Sequence, residues 1–479
     1  MQRFSQKIIH QWLSASTRLL PFAEFASAEL SLSRLLRLSL FQVSVGMALV
    51  LLIGTLNRVM IVELKVPALI VAVMVSMPLL FAPFRALIGF KSDGHRCELG
   101  WRRVPFIWRG TMLQFGGFAI MPFALLVLSG SGQAAHAPAW VGQLGAAIAF
   151  LMVGAGLHIT QTVGLALATD LVPDESKPNV VGLMYVMLLL GMIGSALIFG
   201  VLLEEYSPGR LIQVIQGAAL TTLVLNLIAL WKQEARDRQR KHAPERDPSF
   251  SEAWATLSAI PHMKRSLVGL ALGTMAFTME DVLLEPYGGE VLGMTVSGTT
   301  YLTATLALGS LVGFAFASRA LTRGADANTL STSGVFIGLP AFMAVILSAP
   351  LQSVALFVAG TFLIGLGAGL FAHGTLTAAM RSAPANQIGL ALGTWGAVQA
   401  TAAGVAMALG GVIRDAVRWI APVNDAGGSW LGHAASAYTV VYGIELLLLL
   451  ATVITMWPLV VRSREPRNSS RSMMSSSEG

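Results

Sequence analysis

Twelve times along this chain, 21 to 30 predominantly apolar residues follow one another: at approximately 38–62, 66–90, 105–129, 139–168, 178–203, 208–231, 266–288, 296–320, 330–350, 353–380, 387–413 and 437–461. About 20 apolar residues in a helix cross the hydrocarbon core of a bilayer, so each segment reads as one crossing. Lipid offers the backbone no hydrogen bonds, and a helix satisfies its own. Only 12% of the 479 residues are charged and 54% are hydrophobic, against roughly 25% charged in a soluble domain. A soluble enzyme, a disordered chain and a nucleic-acid partner are excluded, in spite of a net charge of +7. The one cysteine, Cys97, allows no intrachain disulfide and no cysteine-based metal site.

The basic residues orient the spans. With both termini cytoplasmic, that side holds 25 of the 32 Lys and Arg residues. The outer connections hold five (Arg58, Lys65, Arg210, Arg414, Arg418), and Arg85 and Arg109 lie inside spans near the inner face. This is the bias expected of cytoplasmic loops. Residues 1–37 carry Arg3, Lys7, Arg18, Arg34 and Arg37 without a cleavable signal pattern, and form a cytoplasmic or interfacial segment. Leu19–Leu38 can lie on the membrane as an amphipathic helix. Residues 232–265, with eight basic and five acidic residues, form a cytoplasmic linker between six-helix bundles at 38–231 and 266–461. A cytoplasmic tail, 462–479, follows. Gly154-Ala155-Gly156-Leu157 in span four is echoed by Gly367-Ala368-Gly369-Leu370 in span ten, its equivalent in the second half. The expected fold is therefore an all-α polytopic membrane protein, twelve transmembrane helices in two pseudo-symmetric six-helix bundles.

Between spans two and three, Gly89-Phe90-Lys91-Ser92-Asp93 precedes Gly100-Trp101-Arg102-Arg103 by six residues. This resembles the G-x-x-x-D-x-x-G-R-R signature of the major facilitator superfamily, lengthened by four residues. Its physics suits a cytoplasmic latch. A carboxylate accepts hydrogen bonds from a neighbouring helix N-terminus, and arginines tie the helix ends together. The latch candidates are Gly89, Asp93, Gly100, Arg102 and Arg103. The matching stretch of the second half, Ser318 to Gly324, lacks the aspartate. Asp170, Asp174 and Glu175 after span four read as a solvated loop or as partners for Lys177 and the basic linker.

Longer strings narrow the resemblance. RLLRLSLFQVSVGMALVLL (34–52), TLNRVMIVE (55–63), APFRALIGFKSDGHR (82–96), LGWRRVPFIW (99–108), LATDLVPDE (167–175) and DVLLEPYGGEVLGM (281–294) resemble the bacteriochlorophyll-delivery family, and within it the PucC/LhaA group. The likeness runs from about residue 20 to the last span, with Lys65 where a glycine is usual. The resemblance implies a light-harvesting antenna (LH1 or LH2) assembly factor of the bacterial inner, intracytoplasmic membrane. Its cargo would be bacteriochlorophyll, with a carotenoid as a second pigment. The implied partners are light-harvesting antenna polypeptides, bacteriochlorophyll synthase, membrane-insertion machinery and the lipid bilayer.

Polar residues within spans are the candidate sites, because burying them in lipid is costly. Span seven holds Glu280, Asp281 and Glu285, and span twelve holds Glu445. The three acids of span seven could relay protons, bind the Mg²⁺ of a pigment or pair with an arginine such as Arg58. Alternatively they face outer water at a helix end broken by Pro286. For Glu445 a partner on a neighbouring helix is the simplest expectation. His158 in span four and His373 in span ten are neutral donors of the kind chlorophyll magnesium takes. His158 has Gln161 one turn on and Gly154 and Gly156 beside it, which would leave space for a flat macrocycle. A helix–helix hydrogen bond is the alternative for both histidines. Asn57, beside Arg58, could bind a polar pigment edge or anchor its helix. Without a phosphate-binding glycine loop, a metal-ligand cluster or a Ser/His/Asp set, no catalysis is expected, and the only metal is the pigment's own. The alternative function is a proton-coupled secondary transporter of a small hydrophobic solute or pigment.

Overall fold

The computed structural model describes residues 32–80, 88, 92, 101–130, 136–173, 176–234, 262–382, 388–420 and 435–464. Twelve apolar helices follow one another: α1 (Leu32–Glu63), α2 (Ala68–Leu80), α3 (Val104–Leu128), α4 (Ala139–Asp170), α5 (Lys177–Leu202), α6 (Pro208–Leu230), α7 (Met263–Glu290), α8 (Val296–Thr322), α9 (Ala327–Ser348), α10 (Val354–Ser382), α11 (Ile388–Ile420) and α12 (Ser436–Arg464). Eleven are long and apolar enough to cross a membrane, and α2 is shorter within the described residues. The all-α polytopic architecture matches the periodic runs of the sequence, helix for segment.

One end differs from expectation. Leu32–Leu38, read as part of an interfacial helix, is the start of α1, with Leu35 and Leu38 buried. They pack beside Phe41, Ile107 and Leu167, so burial, not the membrane surface, claims this segment. Further along, α1 widens into π-helical turns at Val50–Leu56 and Val59–Glu63.

The chain divides into two compact units. The first comprises residues up to Leu51 with Phe84–His242, the second Leu52–Pro83 with Ala243–Gly479. In the first, α3 and α4 pack closely. A Cβ on Gly156 would stand 2.5 Å from the Gly110 carbonyl oxygen, so only glycine lets these backbones meet. Buried polar side chains link further helices: the Ser44 hydroxyl donates to Asn226 Oδ1 (2.8 Å), Asn226 Nδ2 to Thr111 (2.9 Å), and Gln114 Nε2 to Thr160 (3.0 Å).

In the second unit α10 packs between α8 and α9. A Cβ on Gly367 would meet the Gly334 carbonyl oxygen at 2.7 Å, so α9–α10 repeats the glycine contact of α3–α4. The core is aromatic: Phe277, Tyr287, Phe342, Phe357, Phe371, Tyr438 and Tyr442 are all buried. Tyr287 meets Tyr438 and Tyr442 edge-on, with ring centroids 5.4 and 5.6 Å apart.

Candidate functional site

Helix α7 is not continuous. Regular α-helix ends at Thr278, a 3₁₀ turn spans Glu280–Val282, and α-helix resumes at Leu284. Pro286 is one cause. Having no N–H, it cannot bond the Val282 carbonyl four residues back. That carbonyl accepts instead from Asn57 Nδ2 of α1, at 2.7 Å. Asn57 thus anchors its helix to the break, and its Oδ1 has no hydrogen-bond partner.

The break presents carboxylates inward. Glu280 is fully buried with both oxygens lacking a hydrogen-bond partner. On α12, Glu445 is equally buried; it faces the Glu280 backbone without a hydrogen bond of good geometry. Asp281 is half-buried, and its charge and that of Glu280 both act on Glu445. The partner expected for Glu445 on a neighbouring helix is therefore like-charged, and no cation pairs with it among the described residues. The Tyr442 hydroxyl, one turn before Glu445, is also buried without a partner. An unpaired buried polar group costs about 1–3 kcal/mol, and a charge more. The arrangement is thus a set of acceptors and one hydroxyl with unused capacity, ready for a donor or cation.

Glu285 corrects an expectation. It does not face water: it is 2% exposed, accepts a hydrogen bond from Thr303, and lies against Gly54 of α1, where a Cβ would collide with its carboxylate. Arg58 is near enough to act on Glu285 electrostatically, yet its ion pair is with Glu63, at 2.5 Å. Its Nη2 donates to the Met294 carbonyl at 3.1 Å.

The latch residues form a second group, in the first unit. Gly89, Asp93 and Gly100 lie outside the described residues. Arg102 and Arg103 both pair with Asp170 at the end of α4, and Arg103 also donates to Ser92 at 2.6 Å. Asp170 is thus a salt-bridge partner and not merely a solvated acid. A carboxylate does stand at the N-terminus of α3, that of Glu234, just after α6. It accepts from the backbone N–H groups of Arg102, Arg103 and Val104 at 2.8–3.0 Å, capping α3. Beside it, Gln233 exchanges hydrogen bonds with Arg34, at 2.6 to 3.2 Å. In the second unit Asp326 caps α9 through Thr329 N at 2.7 Å.

The histidines lie apart from both groups. His158 and Gln161 are half-buried on α4. Gly156 beside them is occupied by the α3 backbone, so it frees no room for a macrocycle. His373, half-buried on α10, sets its ring against Phe314 with centroids 4.1 Å apart, and its Nδ1 has no hydrogen-bond partner. Tyr442 and Glu234 escaped sequence reasoning. The i, i+3 spacing of Tyr442 and Glu445 was the available signal for the first; a charged linker hid the second.

The sequence model described as PUCC protein matches residues 55–464. A relative called Protein PucC, from Rhodovulum sulfidophilum, is 63% identical over 421 residues, covering 87% of this chain and 93% of that protein. A more distant relative, the Bacteriochlorophyll synthase 44.5 kDa chain of Rhodobacter capsulatus, is 28% identical over 87% of this chain and 92% of its own length. In structure the chain is similar to a bacterial homolog of the human lysosomal transporter Spinster, inward-facing and unoccupied. The TM-score is 0.63 at 15% identity, covering 88% of this chain and 95% of that one. That likeness establishes the major facilitator fold.

Proposed function

Because this chain belongs to the PucC family, we propose that it is a light-harvesting antenna assembly factor, which binds bacteriochlorophyll and delivers it to nascent antenna polypeptides within the membrane. The observation that carries the reading is the family match through residues 55–464, joined by a relative whose name refers to bacteriochlorophyll synthase. In this reading the chain lies in the bacterial intracytoplasmic membrane with both termini cytoplasmic, in keeping with the 25 of 32 Lys and Arg residues assigned to that side. A cysteine introduced within 131–137 then labels from outside and native Cys97 does not; the reverse labelling overturns the orientation.

A chlorophyll magnesium takes one neutral axial donor in an otherwise apolar setting. His373 fits, since it keeps a ring nitrogen without a hydrogen bond beside an aromatic ring. His158 with Gln161 is the second candidate, on a helix whose neighbouring glycine already holds α3. Purification in mild detergent is expected to carry along bacteriochlorophyll and antenna polypeptides. His373→Leu or His158→Leu strips the pigment, whichever is the ligand, because an apolar side chain cannot fill the axial position. A colourless, monodisperse preparation refutes the assembly reading. In a deletion strain, loss of one near-infrared absorption band names the antenna served.

The unpartnered Glu280, Glu445 and Tyr442 favour a second reading, proton-coupled transport of a small hydrophobic solute or pigment. In proteoliposomes, Glu280→Gln and Glu445→Gln then abolish pH-driven uptake while pigment still copurifies. Uptake unaffected by both substitutions removes this reading.

A further inference from the structure

The side of a membrane protein opposite its cytoplasmic loops is poor in basic residues. Four of the five assigned there in this chain, Arg58, Lys65, Arg414 and Arg418, converge at one end of the second unit. A cavity of about 580 Å³ opens among Ile61, Val62, Lys65, Val66, Pro67, Gly289, Glu290, Arg414 and Arg418. Arg58 borders it, 3.1 Å from where a Cβ on Gly289 would stand.

The acids nearby are already engaged. Glu290 Oε2 accepts from Arg414 (2.7 Å) and the Tyr438 hydroxyl (2.7 Å), and pairs with Arg418 (3.1 Å). Asp415 binds Arg414 at 2.7 Å and accepts from Leu69 N, at the start of α2, at 2.7 Å. Glu63 is held by Arg58. On the cavity wall itself three cations face one acid. Arg414 is 4% exposed and its Nε has no hydrogen-bond partner, nor has that of Arg418. Lys65 makes no ion pair among the described residues. Its backbone has φ +54°, a left-handed conformation that costs a non-glycine residue roughly 1–2 kcal/mol. The fold would hold this turn more easily with glycine, so the ammonium group is kept against a conformational cost.

We propose that this cavity, walled by α1, the turn at 64–67, α7 and α11, binds a phosphate-bearing anion. The chemistry fits three converging cations, two with spare N–H donors, for which phosphate oxygens are strong acceptors. The cavity's apolar wall, Ile61, Val62, Val66 and Pro67, and Trp419, next in sequence to Arg418 and 84% exposed, suit an anionic phospholipid headgroup at the membrane surface. Neither Glu280 nor Glu445 lines the cavity, and the site does not depend on the assembly reading.

The test uses the full chain in detergent, with native mass spectrometry against phosphatidylglycerol and phosphatidylcholine. Wild type is expected to retain the anionic lipid preferentially, and Lys65→Gly and Arg418→Gln each to lower that preference about fivefold, as one surface cation contributes about 1 kcal/mol. Lys65→Gly also controls for folding, because glycine relaxes the left-handed turn and its thermal midpoint should not fall. Inorganic phosphate in competition separates the sources. Displacement supports the site with free phosphate as ligand, and retention of the lipid supports it with the headgroup. Equal retention of both lipids without phosphate binding, or a preference untouched in the double variant, overturns the proposal.

Discussion

The two units place their acidic residues differently. In the first, the acidic residues described stand at helix ends and do structural work there: Asp170 pairs with Arg102 and Arg103, and Glu234 caps α3. Its mid-helix polar links are neutral, as in the chain Ser44–Asn226–Thr111. The second unit keeps Glu280 and Glu445 in the middle of spans, fully buried and without hydrogen bonds. Neutral groups that satisfy one another hold helices in register at little risk. Carboxylates left unsatisfied weaken the fold, and their retention points to a use in the working protein. The first unit keeps its described acids at helix ends; the second buries two of its acids unpaired.

The sharpest break of that contrast is Arg414→Ala. It removes the buried cation that Glu290 and Asp415 share, leaving Glu290 to Arg418 and Tyr438 and Asp415 to the Leu69 N–H, and is expected to cost about 3 kcal/mol, read as a fall in thermal midpoint in detergent. Asn226→Ala comes next. Two buried hydrogen bonds between helices are lost, while Ser44 and Thr111 keep their bonds to the Phe41 and Ile107 carbonyls, and the loss should be about 1–3 kcal/mol by the same measurement. Glu445→Met tests the other side. Replacing an unpartnered carboxylate by an apolar side chain of similar size should leave stability equal or higher by about 1–2 kcal/mol, while antenna assembly falls. If Glu445→Met destabilises as much as Asn226→Ala, the two units do not differ as described. The smallest effect belongs to Glu234→Ala, about 1 kcal/mol for a lost helix cap, visible as faster amide exchange at Arg102 to Val104.

The helices were legible because the bilayer demands some twenty apolar residues per crossing, and no other pattern competes with that length. Their mutual contacts were less so. Gly156 reads equally well as spare room or as a helix contact until the facing Gly110 is known. Pro286 announced a break in α7, but that Asn57, over two hundred residues upstream, would take up the freed Val282 carbonyl is a matter of packing. Glu285 beside a proline looks like an acid at an exposed helix end, and only the positions of Gly54 and Thr303 reveal its burial. The motif singled out Arg102 and Arg103, while the groups they meet come from the ends of α4 and α6, which no local pattern links to residues 102 and 103.

The cap on α3 also has a consequence for the order of events during synthesis. The Val104 N–H donates its hydrogen bond to a residue 130 positions later in the chain. A ribosome therefore completes α3, α4, α5 and α6 before the residue that seals the start of α3 exists. Until then the first turn of α3 has exposed N–H groups and two arginines without the Glu234 carboxylate that later accepts their backbone bonds. This end of the first unit is thus closed last, and its closure reports that α3 to α6 have been made.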